Sequence, residues 1–387
     1  MHKRIINAAI VLPDREVSQG VLNISAEKIV SVDSFSFRED IGGNACAEIE
    51  TFDFAGDLII PGLIDTHVHG SCGADTMDGT ARSLEKISSA LLKQGTVAFL
   101  PTTMAASGDR LSDIMRAEAK MQPGAGRAEI VGFHLEGPCI SARFLGAQNI
   151  IEATDVPVPL GVRVKMMTLA PELPEASELI HDALAAGIIV SVGHSGAGYE
   201  DMLKFIDQGI RHITHAFNAM PGIHHRTPGL LTAALLDPRV HLELIADGVH
   251  IHPAVLELAL RLKGTDRILL VSDGTRAVGM PEGDYELGGR QVSLKGGRMI
   301  LPDGTLAGSA STLLDGVRFM ARVVGRTLCE SVRMAALNPA RLLGLSGRLG
   351  SLEPGREATF LRLSPDLSLK EVWVRGRLLD APQTGSN

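Results

Sequence analysis

The chain has 387 residues, of which 45% are hydrophobic and 21% charged. That is ordinary globular composition; it excludes disorder and gives length enough for a large core plus an appendage. A net charge of −8 excludes a global basic surface for nucleic acid or anionic membrane, so an anionic ligand has to be caught by a local cation.

The amino-terminal stretch "MHKRIINAAIVLPDREV" has a short apolar run interrupted by Asn7 and no small-residue cleavage site after it, so no signal peptide is expected. No segment approaches ~18 uninterrupted apolar residues, and no membrane span is expected. Cys46, Cys72, Cys139 and Cys329 are scattered and form no C-x-x-C, which fits reduced thiols and a cytoplasmic location.

Residues 1–55 alternate in the manner of short strands ("KRIINAAIVL", "GVLNISAEKIVSVDSF", "AEIETFDF"), and 350–379 alternate in the same way. These similar ends predict one small sheet domain built from residues 1–55 and 346–387, flanking a different middle at 56–345. Eight strand candidates follow in the middle, at 58–67, 96–102, 129–136, 163–170, 187–194, 210–215, 241–247 and 267–273. Helical patterns separate most of them. "SLEKISSALLKQG" and "YEDMLKFIDQG" each close on the glycine expected at a helix C-terminus. Such alternation means βα units and a parallel sheet, and eight units over this length is the size of a (β/α)8 TIM-type barrel. A doubly wound open sheet is the alternative, but no G-x-G-x-x-G follows any strand.

In such a barrel chemistry sits at the C-terminal ends of the strands. Strand one ends on "DTHVHG", placing His67 and His69 one residue apart and on one face. Strand three ends at Glu136, five at His194, six at His215 and eight at Asp273. Four histidines and two carboxylates at strand ends form a convergent set. Imidazole and carboxylate without thiolate suit Zn, Fe, Mn, Co or Ni. Six candidates exceed one tetrahedral ion. They suit two ions sharing a bridging carboxylate, or one ion with the remaining groups acting as acid, base or support. His134, two before Glu136, reads as packing or support. His212, His241 and His252 read as structural or exposed.

"PGLIDTHVHG", "HLEGP", "VGHS", "THAFNAMPGIHHRTPG", "ADGVH", "VSDGT" and "DGTLAGS" occur in this order. Together they resemble the amidohydrolase superfamily, and within it the N-acetylglucosamine-6-phosphate deacetylase family, over about 58 to 360. The first element marks only the superfamily; "HLEGP" with the "FNAM…HHRTPG" stretch is much more specific. The resemblance implies a (β/α)8 barrel with a small β-sandwich from both termini, and metal-dependent release of acetate from N-acetyl-D-glucosamine 6-phosphate. It makes Glu136, His194 and His215 ligands of one divalent ion, zinc being the first candidate. His67 and His69 can hold a second. Asp273 becomes the catalytic acid and base and a further metal candidate. Asn218 and Ala219 would line the sugar site and Arg226 would bind phosphate. His250 would reach the substrate across a homodimer interface, and Leu306, Ala307 and Gly308 would supply backbone near the acetyl group. Gln148 stands where many members carry a histidine. It can donate a hydrogen bond to substrate but cannot carry charge. The nearest rival is a deacetylase for the galactosamine epimer. Dihydroorotase-like members use a strand-four lysine, but Lys165 lies too early here. Deaminases lack "HLEGP" with "FNAM". A non-enzymatic scaffold on this fold would have lost ligands that are intact here.

Overall fold

The computed structural model describes residues 2–34, 49–122, 124, 126–149, 158, 160, 161 and 163–379. Cys46 therefore lies outside the described residues. Eight strands form the barrel: β1 (Leu63–Val68), β2 (Thr96–Thr103), β3 (Phe133–Glu136), β4 (Val164–Leu169), β5 (Ile189–Val192), β6 (His212–Ile213), β7 (His241–Ile245) and β8 (Ile268–Val271). All neighbouring pairs run parallel in chain order from β1 to β8. The circle is completed by a parallel bridge between Val68 and Gly274 and by the Asp273 amide, which donates to the His67 carbonyl at 2.9 Å. All eight predicted strands are present. The helix expected after β1 runs Ala81–Lys93, and the one after β5, Tyr199–Gln208, stops at Gly209 with φ of 118°. That left-handed turn is the one glycine permits at least cost.

The first and third candidates are each divided, the third into Glu129–Ile130 and β3. Residues 58–67 are two strands: Leu58–Pro61 joins another sheet, and β1 begins at Leu63. The break is at Gly62, whose amide donates to Thr359 in the small sheet while the next amide, Leu63, donates to Gly95 in the barrel. A Cβ on Gly62 would stand 2.6 Å from Val97 Cγ2, so only glycine lets the chain cross between sheets there.

The small sheet draws on both ends of the chain, with Phe360–Leu363 antiparallel to Leu58–Pro61 and His2–Val11 parallel to it. Its own core surrounds Trp373, which stacks on Phe360 at 5.4 Å and meets Phe52 edge-on at 4.9 Å. Its other face is continuous with the barrel's apolar shell, since Ile60, Leu361, Leu363 and Val372 pack in the same cluster as Leu63 and Val97.

After β8 the chain makes a three-stranded antiparallel insertion, Gly283–Leu287, Arg290–Lys295 and Arg298–Ile300. Its turns are the two Gly-Gly pairs at 288–289 and 296–297, a hairpin signal present in the sequence. Leu287, Val292, Leu294 and Met299 pack with Met104, Ala147 and Ala307. The insertion thus covers the C-terminal end of the barrel.

Candidate active site

The strands deliver their side chains to one point. Glu136 is the last residue of β3, and His67 is the penultimate residue of β1. On β5, β6 and β8 the group stands two residues beyond the strand, at His194, His215 and Asp273. There φ is 50°, 29° and 48°. Non-glycine residues seldom adopt this left-handed backbone, and where they do it marks a site whose surroundings enforce it. Gly193 is part of that enforcement: a Cβ there would lie 2.7 Å from Thr168 Cγ2 and 2.9 Å from Thr214 Cβ. All six side chains are buried.

Glu136 is the centre. Its Oε1 lies 3.0 Å from His194 Nε2 and 3.0 Å from His215 Nε2. Its Oε2 lies 3.4 Å from His69 Nε2 and 3.8 Å from His67 Nε2. Asp273 Oδ1 closes the second group, 3.2 Å from His69 Nε2 and 3.5 Å from His67 Nε2.

The opposite edges of the rings fix their protonation. His194 Nδ1 faces the Phe144 carbonyl at 2.8 Å, His69 Nδ1 the Thr102 carbonyl at 3.2 Å, and His67 Nδ1 the Glu243 carboxylate at 3.1 Å. A ring that donates from Nδ1 carries a lone pair on Nε2 when neutral. At His194, His69 and His67 these lone pairs face carboxylate oxygens, His194 Nε2 lies 3.1 Å from His215 Nε2, and His67 Nε2 has no hydrogen-bond partner among the described residues. A lone pair facing a carboxylate oxygen is relieved by a cation between the two. The residues present therefore fit a divalent ion at Glu136, His194 and His215, and another at His67, His69 and Asp273. Charge balance agrees. The ion-pair partners of Glu136, Glu243 and Asp273 among the described residues are histidines alone. Burial pushes the His67 pKa down, yet Asp273, Glu136 and Glu243 outweigh it and lift it to about 10, so the surroundings of this ring favour positive charge.

Glu243, which sequence reasoning missed, supports this centre from below. It is fully buried on β7, accepts from Thr66 Oγ1 at 2.9 Å, and orients His67. Burial raises its pKa, but His67, His212 and His134 together outweigh that and hold it at about 2. A charged residue amid the apolar residues of "HLELIAD" was the available signal. His134 is support, as expected: its nitrogens meet the Thr66 carbonyl at 2.9 Å and Thr168 Oγ1 at 2.7 Å, and burial pushes its pKa down to about 3.

The centre opens into a cleft of about 220 Å³. Gln148, Asn218, Ala219, His250, Leu306 and Gly308 line it, together with Leu287 and Met104, which were not foreseen. Ala307 is fully buried within the insertion's core. Arg226 is exposed and lies outside the lining, its Nη1 2.7 Å from His225 Nε2. His250 lines the cleft of its own chain, and Asp247 Oδ2 lies 2.7 Å from its Nδ1. Burial depresses its pKa, but Asp247 and Asp273 raise it above the ordinary histidine value.

The sequence profile of the amidohydrolase family matches residues 58–379. This chain belongs to the amidohydrolase family. Amidohydrolases are metal-dependent, in keeping with the ligand sets just described. Within the family it is similar to N-acetylglucosamine-6-phosphate deacetylase from Vibrio furnissii, 39% identical over 330 residues, covering 83% of this chain and 82% of that one. It is also similar to N-acetylgalactosamine-6-phosphate deacetylase from Escherichia coli O157:H7, 36% identical over 331 residues, covering 83% and 88%. Among solved structures it resembles an aspartate-to-alanine mutant of N-acetyl-D-glucosamine-6-phosphate deacetylase from Mycobacterium smegmatis in complex with N-acetyl-D-glucosamine-6-phosphate. That match has a TM-score of 0.86 and 28% identity, covering 97% and 99% of the two chains.

Proposed function

We propose that this amidohydrolase hydrolyses the acetamide of N-acetyl-D-glucosamine 6-phosphate to D-glucosamine 6-phosphate and acetate. The observation that carries this reading is Glu136, whose two oxygens face separate histidine sets beside Asp273 at the floor of a cleft. The likeness to N-acetylglucosamine-6-phosphate deacetylases supplies the substrate class.

Glu136, His194 and His215 would hold one divalent ion, and His67, His69 and Asp273, with the second oxygen of Glu136, another. The all-nitrogen-and-oxygen donor set favours zinc, with Fe, Mn, Co or Ni as alternatives. When bound, such an ion supplies Lewis-acid polarisation of the acetamide carbonyl and activates water near neutral pH. The chain's own groups do the rest. Burial raises the pKa of Asp273, but His67 and His69 outweigh it and keep the carboxylate ionised. Asp273 takes the proton of the attacking water and returns it to the departing amine nitrogen as the C–N bond breaks. Asn218 and the backbone at Leu306 and Gly308 hold sugar and acetyl group, and the insertion's Leu287 helps exclude water.

Phosphate needs a cation, and no lysine or arginine is among the described residues lining the cleft. Arg226 is our candidate. Its planar fork suits phosphate, and its exposed loop continues from the Asn218–Ala219 wall, where it is available to its own cleft or to that of a second copy in a homodimer. We place the enzyme in the cytoplasm, in keeping with the free thiols Cys72, Cys139 and Cys329. No helix among the described residues is long and apolar enough to cross a membrane.

The test is acetate release by zinc-loaded protein from N-acetylglucosamine 6-phosphate, N-acetylgalactosamine 6-phosphate and unphosphorylated N-acetylglucosamine. Strong preference for the first is expected. Preference for the second would keep the mechanism and change the substrate, as the E. coli relative allows. No release from any of the three would overturn the assignment.

A further inference from the structure

Gln148 is nearly fully buried, and both ends of its carboxamide are engaged within the protein. Its Oε1 accepts from the Ala105 amide at 2.8 Å. Its Nε2 donates to Glu136 at 2.5 Å, and the oxygen it chooses is Oε2. Oε1 of that carboxylate already faces His194 and His215, so Oε2 is the only atom Glu136 has left for the His67 and His69 side. The bond from Ala105 fixes which end of the amide is which, so a donor and not an acceptor meets the carboxylate.

The segment carrying Gln148 is itself pinned. Arg290 of the insertion donates to the Gln148 carbonyl at 3.2 Å, and Asn149 donates to the Gly288 carbonyl at 2.6 Å. The same loop provides the Phe144 carbonyl that sets the tautomer of His194. One loop, held by the insertion, thus orients a ligand on each side of the centre.

The physical need is specific. The terminal torsion of a glutamate is broad and only weakly restrained by its own chemistry. An ion at Oε1 would restrain that oxygen, but the tilt of the carboxylate plane, which decides where Oε2 points, needs a second contact to fix it. A carboxylate oxygen has more than one lone pair, so Oε2 can accept from Gln148 and still face His67 and His69. We infer that Gln148 is a positioning residue which fixes the torsion of Glu136, and that it thereby selectively supports a divalent ion at the His67–His69–Asp273 position while leaving the ion at His194 and His215 unaffected. This role stands beside the substrate contact expected from the sequence, since Gln148 also lines the cleft. It rests on the reading of the site as a metal-dependent amidohydrolase centre, but not on the identity of the sugar.

The experiment is calorimetric titration of the full-length apoprotein with zinc alone, backed by zinc content after gel filtration, with no substrate present. The wild-type chain is expected to take two ions. Gln148→Met, similar in length but without donors, should weaken one of them by about 10- to 100-fold and leave the other unchanged. Gln148→Ala should do the same if the methionine variant does not fold. Gln148→His, which keeps a ring donor, should restore the weakened ion. In a His69→Ala background, where that position is already lost, Gln148→Met should change nothing further. Four results would overturn the inference: a wild-type chain saturating at one ion, two ions bound normally by the methionine variant, both ions weakened alike, or an effect that persists without His69. Because no sugar is involved, a protein inert toward all three substrates would sink the proposed function and leave this result standing.

Discussion

Asp273 has two ways to fail, as ligand and as proton carrier, and a substitution separates them. Asp273→Asn keeps shape and an oxygen acceptor but cannot carry a proton. Turnover should fall by about 100- to 10,000-fold while the ion at Glu136, His194 and His215 stays bound, read by steady-state kinetics and zinc content; near-normal turnover would rule out Asp273 as the proton carrier. Arg226 stands apart from the cleft lining, so its effect should be confined to the phosphate. Arg226→Ala should raise KM for the phosphorylated sugar and leave the unphosphorylated sugar nearly unchanged; equal effects would remove phosphate recognition from this residue. Glu243 is fully buried and is not among the residues lining the cleft. Glu243→Gln keeps an acceptor for His67 Nδ1 but removes the charge, and zinc affinity should fall by about 10- to 100-fold in a calorimetric titration. Unchanged affinity would reduce Glu243 to a packing group.

At the scale of elements, the small sheet is stitched by one acid. Asp57, just before Leu58–Pro61, receives Arg362 Nε at 2.6 Å and Lys370 Nζ at 2.7 Å, from two consecutive strands of the carboxyl-terminal end. Burial raises its pKa, but Lys370 and Arg362 outweigh it and hold it below the ordinary aspartate value. A depressed carboxylate contributes stability that is present above its unfolded pKa, about 4, and lost as pH falls through its folded value. Asp57→Asn should therefore cost about 1.5–3 kcal/mol at pH 7, and the gap from wild type should narrow as pH falls below about 4. Urea unfolding at pH 7 and at steps descending from pH 4 checks it, and a gap that does not narrow on acidification would show that the loss is one of packing and not of charge.

At the scale of the whole molecule, the barrel and the small sheet share one apolar cluster through Ile60, Leu361 and Val372. Metal binding should therefore stabilise both. The chain has a single tryptophan, Trp373, buried in the small sheet, so its fluorescence reports on the part that holds no ion. Ion binding to the folded state stabilises it by about 4 kcal/mol at 1,000 times Kd. Chelation should thus lower the Tm seen by Trp373 together with that seen by far-ultraviolet circular dichroism. A Trp373 transition that stays put while the dichroism moves would mean that the two sheets unfold independently.

Eight strands, their parallel order and the ionisable groups at their ends were all legible along the chain. Strand alternation, helix period and terminal glycines are local quantities, carried by neighbours two to four residues apart. His67, His69, Glu136, His194, His215 and Asp273 could be grouped from sequence because a barrel brings strand ends together whatever lies between. What local pattern does not contain is direction and closure. Glu243 pairs with His67 across 176 residues of chain, and only the finished barrel turns that mid-strand carboxylate onto a ligand. Gly62 divides an apparently continuous apolar run because two sheets compete for consecutive amides. His250 lines its own cleft, with Asp247 against its Nδ1. Gln148 is bonded to Glu136 and Ala105, a choice made by distances of a few ångströms between loops. By itself the sequence determined which chemistry the chain carries and at which strand ends. Tertiary structure decided which oxygen faces which ring and what holds it there, since those contacts exist only once residues far apart in sequence have been packed together.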